Sequence, residues 1–118
     1  MNFVLVFLSG GLGSLLRYVI GLMLPSCFFP WTTLGINVLG CFAIGLFGGL
    51  GSRMGWSGSL QLALTVGLCG GFTTFSTFSK EALSLAVAGR WGVFSLYIIG
   101  SLILGLTATA AGFACSRG

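Results

Sequence analysis

Histidine is absent from this 118-residue sequence, and Glu81 is its only acidic residue. Charged residues make up 5% of the chain and proline occurs twice. Without a histidine or a second carboxylate, no paired general acid and base for hydrolysis is available, so an enzyme is not expected. Cys27, Cys41, Cys69 and Cys115 form no CxxC pair, and their nearest spacing is 14 positions. With no histidine to complete a zinc set, they read as small apolar packing residues. The run GGLG at residues 10–13 lacks the spacing and the lysine of a phosphate loop and sits inside an apolar stretch.

What is abundant is apolar side chain and glycine. Hydrophobic residues account for 56% of the chain, and there are 21 glycines, a composition that belongs to membrane proteins. Four apolar stretches, Phe3 to Leu24, Thr32 to Leu50, Leu60 to Ser79 and Trp91 to Cys115, are each long enough to cross a hydrocarbon core of about 30 Å. The expected fold is therefore an all-α integral membrane protein of four transmembrane helices, with residues 1–118 as one membrane domain. The first stretch is too long for a signal-peptide core and has no basic residue before it, so it reads as a retained span. The joints at Pro25 to Trp31, Gly51 to Ser59 and Lys80 to Arg90 are too short for a soluble domain. Function must then lie within the bilayer or across it, and nucleic acid is not an expected partner.

With four spans, Arg53 and Arg117 fall on one side of the membrane. Lys80 and Arg90 fall on the other, joined by Arg17 if that side chain reaches the interface. Two cations face two or three, so the positive-inside rule barely selects an orientation. One reading is dual topology, with opposed copies pairing as an antiparallel dimer; the other is a fixed topology set by a weak bias. Four short helices enclose little interior, which also favours a closed two-fold oligomer. Small residues four apart (Gly45 and Gly49, Gly67 and Gly71, Ser9 and Gly13, Ser101 and Gly105) allow close helix approach in lipid, where no hydrophobic drive pushes helices together.

The stretch GGFTTFSTFSKE, residues 70–81, interrupts this pattern. A glycine pair weakens a helix, and hydroxyls directly after it satisfy freed backbone groups or cap a new start. A span closed at Phe72 would be too short for a bilayer, so the reading is a third helix broken near its middle. Irregular backbone at membrane depth is tolerated where it is buried in protein or lines a cavity, and such breaks commonly form ion sites. If helix resumes, Phe72, Phe75 and Phe78 share one flank with the hydroxyls of Thr73, Ser76, Thr77 and Ser79 nearby. Phenyl edges attract a small anion weakly. Hydroxyl donors replace its hydration without a fixed charge that would hold it too tightly.

Further polar candidates stand in the other spans. Asn37 is either a clasp between helices or a pore donor. Arg17 either snorkels to the interface or supplies positive potential at a vestibule. Tyr97 and Ser101, four apart, share a face compatible with a polar track or with bonding between helices.

The segment GLCGGFTTFSTFSKE, residues 67–81, resembles the signature of the Fluc (CrcB) family of fluoride channels. The similarity extends to GGLGSLLRY at 10–18 and TLGINVLGCFAIG at 33–45, covering three of the four spans in order. The resemblance implies an antiparallel dual-topology homodimer in the inner (plasma) membrane of a prokaryote, with two fluoride pores along the subunit interface. It implies that Phe75 and Phe78 meet fluoride with their ring edges, that Asn37 is a pore amide, and that Ser76 and Thr77 are hydroxyls on the route. Tyr97 and Ser101 would begin a fourth-helix polar track, and Gly105 stands one turn on, where some members carry another hydroxyl. A structural sodium ion on the dimer axis would be held by the backbone carbonyls of Gly70 and Thr73. Two competing functions remain. A small multidrug-type cation exporter needs a membrane-embedded carboxylate, whereas Glu81, beside Lys80 at an expected helix end, reads as an interface or salt-bridge residue. In a non-transporting membrane subunit, replacing Phe75 would alter stability and leave no flux to lose.

Overall fold

The computed structural model describes residues 2–24 and 30–117, and four of its helical segments are long and apolar enough to cross a membrane. Helix α1 spans Asn2–Met23 and α2 spans Trp31–Met54. The third segment, Gly58–Val87, is composite. It runs through α3 (Gly58–Leu62), a π-helical stretch at Ala63–Cys69, α4 (Gly70–Phe72) and, after an interruption, α5 (Ser76–Val87). Helix α6 spans Trp91–Arg117.

The third segment continues past Ser79 because SKEALSLAV is rich in strong helix formers. The joint expected from Lys80 therefore shrinks to a turn at Ala88–Arg90, where Gly89 takes φ 77° and the Arg90 amide donates to the Leu85 carbonyl at 2.9 Å. Gly55 closes α2 in the same way, with φ 66° in the left-handed region that favours glycine. Ser57 then caps α3, its hydroxyl accepting from the Leu60 amide at 3.2 Å. Most of the first joint, residues 25–29, lies outside the described residues.

Glycine determines which helices touch. An ideal Cβ on Gly45 would overlap the Thr109 carbonyl, and one on Gly112 would overlap the Phe42 carbonyl, so α2 and α6 meet backbone to backbone. Gly13 in the same way faces the Leu68 carbonyl and the Phe72 amide, while Gly71 faces the Gly10 carbonyl, drawing α1 onto the third segment. Both contacts use the small-residue spacing read from the sequence. A separate apolar cluster of Leu34, Ala82, Leu85 and Tyr97, with Phe78 packed against it, ties α2, α5 and α6 together. The outer surface is greasy: Phe3, Phe7, Leu8, Leu102 and Leu106 are all exposed, as a lipid-facing surface requires.

Candidate functional site

Helix α4 ends at Phe72, and Thr73 is extended with φ −82° and ψ 159°. Phe75 returns to φ −95°, ψ −33° just before α5 starts at Ser76. The interruption therefore falls after the glycine pair, which stays helical: Gly70 has φ −62° and ψ −39°. Gly70 and Gly71 were expected to break the helix. Instead Gly71 provides close approach to α1, and another residue draws the backbone out of the helix.

That residue is Asn37. Its Nδ2 donates to the Thr74 carbonyl at 3.0 Å, and its Oδ1 accepts from the Thr74 amide at 2.9 Å. In a continuous α-helix the Thr74 amide would serve the Gly70 carbonyl. Three residues on, the Thr77 amide donates to the Thr74 hydroxyl at 3.2 Å instead of to the Thr73 carbonyl. The carbonyls of Gly70 and Thr73 thus both lose their helical donors. The Gly71 carbonyl, freed in the same way, lies 3.4 Å from the Ser14 hydroxyl and 3.4 Å from Arg17 Nε. Buried backbone groups require such replacements. Of the two readings of Asn37, its bonding here is that of a clasp. Arg17 turns toward the break.

A cleft of about 300 Å³ opens beside the break between α2 and α6, with Asn37, Thr73, Thr74, Phe75, Phe78 and Ser101 in its wall. None of its lining residues is charged. The rings of Phe75 and Phe78 are 5.8 Å apart and tilted by 41°. Phe78 is in turn 4.9 Å from the Tyr97 ring. Phe72 is not on this flank: it precedes the break, is buried, and lines an apolar cavity with Leu16, Leu39 and Leu68. Phe75 is 78% exposed, so one side of the cleft has no cover from the described residues.

The other expected residues distribute around this centre. Ser101 lines the cleft, and its buried hydroxyl has no hydrogen-bond partner among the described residues. Tyr97 is fully buried behind Phe78 and donates its hydroxyl to Glu81 Oε1 at 3.1 Å. Glu81 lies inside α5 and holds α6, rather than marking a helix end. Ser76 is exposed on the first turn of α5, its hydroxyl 3.4 Å from that of Thr74. Thr77 and Arg17 line a second cavity of about 330 Å³, and Thr74 stands in the wall of both. Thr74 is thus the hub of the site, though sequence reasoning did not single it out; its place inside the TTFSTF run was the available signal. Cys41 and Cys69 line the cleft, Cys115 is exposed, and Cys27 lies outside the described residues. No group of three or more His, Cys, Asp or Glu that could hold a metal occurs among the described residues.

Residues 4–113 match the family model described as CrcB-like protein, Camphor Resistance (CrcB). Three curated relatives, each named fluoride-specific ion channel FluC, align along almost the whole chain. The protein from Phocaeicola vulgatus is 46% identical over 114 residues, covering 94% of each chain. That from Bacteroides fragilis is 43% identical over 113 residues, covering 91% of this chain and 89% of the relative. That from Thermus thermophilus is 46% identical over 115 residues, covering 95% and 92%.

Proposed function

The chain belongs to the CrcB-like family, and from that premise we propose that it is a fluoride-selective channel, a multi-pass protein of the bacterial inner membrane that releases fluoride passively and limits its cytoplasmic toxicity. The observation that carries this reading is the uncharged cleft beside non-helical backbone at membrane depth.

A small anion leaves water only if its hydration is replaced almost completely, since burying an isolated charge costs tens of kcal/mol in idealised estimates. The cleft wall is almost wholly apolar, and the neutral groups it offers for that purpose are the Phe75 and Phe78 rings, whose edges are positive, with the Ser101 hydroxyl buried behind them. Neutral donors favour entry without trapping the ion, which conduction requires. Arg17, at the neighbouring cavity, raises the local potential without standing in the uncharged cleft.

The functional unit we propose is an antiparallel homodimer with two pores along its interface. The open side at Phe75 fits a wall completed by a second copy, and the near balance of cations fits insertion in both orientations. The Gly70 and Thr73 carbonyls fit a structural sodium ion at the subunit junction. They are hard oxygen donors freed by the break, and two copies would present four. The ion would supply positive charge to hold the two broken helices together, while Asn37 and Thr74 keep the carbonyls free.

Planar-bilayer recording tests channel behaviour. Discrete current steps in fluoride, with none in chloride, are expected; silence in both from monodisperse protein would overturn the proposal.

A further inference from the structure

Beyond Ser101 the cleft continues to Cys41, Ile44 and Gly105. Most polar side chains in its wall are already bonded. Asn37 holds the Thr74 backbone, the Thr73 hydroxyl donates to the Cys69 carbonyl at 3.0 Å, and the Thr74 hydroxyl serves Thr77 and Ser76. The Ser101 hydroxyl is buried behind the wall and has no hydrogen-bond partner among the described residues.

One turn after Ser101, α6 offers Gly105, which has no side chain to continue a polar wall. The space beside it is taken from the opposite helix: Cys41 Sγ lies 3.5 Å from where a Gly105 Cβ would stand. Cys41 is part-buried and is not in a disulfide. A thiol is a neutral, polarizable, weak donor, able to solvate an anion without holding it.

Resting on the fluoride-channel reading, we propose that the thiol of Cys41 is a further element of the anion path, supplying from α2 the donor that Gly105 does not supply from α6. The anion would pass the Cys41 S–H along the wall that Ser101 and Cys41 share. Packing alone would explain a small residue at position 41 but would make the presence of a donor irrelevant.

The test is fluoride efflux from liposomes for four proteins of matched dimer content by size exclusion: wild type, Cys41→Ala, Cys41→Ser and the double variant Cys41→Ala/Gly105→Ser. Loss of one weak donor predicts a fall of about threefold to tenfold in Cys41→Ala. Cys41→Ser is expected to keep at least the wild-type rate, and Gly105→Ser is expected to restore Cys41→Ala by returning a donor from the other helix. Wild-type rates in Cys41→Ala, or equal losses in Cys41→Ala and Cys41→Ser, would overturn the proposal, as would failure of the double variant to recover. If the wild type itself releases no fluoride, the failure belongs to the channel reading.

Discussion

The Asn37 amide and the Thr74 peptide exchange two hydrogen bonds, at 3.0 and 2.9 Å, across a sequence separation of 37 residues. Through this exchange a helix that could have continued is held open. Removing the amide leaves a peptide N–H and C=O unsatisfied inside the membrane, at about 1–3 kcal/mol each. Asn37→Ala is therefore expected to lower thermal stability in detergent and to cut fluoride flux by about tenfold or more. Asn37→Asp keeps an acceptor for the Thr74 amide but sets a carboxylate against the Thr74 carbonyl and in the wall of the anion cleft, so its flux should fall at least as far as that of Asn37→Ala. Efflux and melting measured together check both.

Phe75 and Phe78 sit in one cleft but make different tests. Phe75 is 78% exposed within its own chain, so Phe75→Ile removes little packing from the fold of the single chain and should abolish flux while helical content and yield stay normal. Phe78 packs against Tyr97 at 4.9 Å and against the apolar cluster, so Phe78→Ile should lose flux and stability together. Equal losses of stability in both variants would contradict this division.

At Gly45 any β-carbon would overlap the Thr109 carbonyl, and only movement of the backbone relieves it. Gly45→Val should separate α2 from α6 and prevent recovery of folded protein. Gly92, with no atom within 4 Å of its ideal Cβ, is the control: Gly92→Ala should be neutral or slightly stabilising. Yield and melting temperature distinguish the two.

If sodium binds the freed Gly70 and Thr73 carbonyls, its removal should act as a loss of structure. Prolonged exchange into a large organic cation is expected to reduce fluoride efflux progressively, with recovery when sodium returns. Undiminished efflux in sodium-free solution would remove sodium from the account.

Much of this was legible in the sequence because membrane spans are written in long apolar runs. The interruption was legible too, since TTFS after a glycine pair has little reason to occur in a plain span. Its exact place was not, because two physical roles compete at Gly70 and Gly71. Glycine permits a break, but it also permits close contact, and here Gly71 serves the contact with Gly10 while the chain departs at Thr73. The agent of that departure, Asn37, was readable as a clasp, yet nothing local in LGINVLG names Thr74 as its partner. The π-helical turn at Ala63–Cys69 left no trace in composition. Such turns reflect packing across helices more than residue preference. Glu81 misled for a similar reason: its neighbour Lys80 suggested a helix end, whereas its partner Tyr97 comes from the next helix.

The most direct test of the central claim is anion release from liposomes reconstituted with the wild-type protein, followed by fluoride- and chloride-selective electrodes in the same vesicles. Rapid loss of fluoride with chloride retained is the predicted result. Release of both ions at similar rates, or of neither from folded protein, would contradict a fluoride-selective channel.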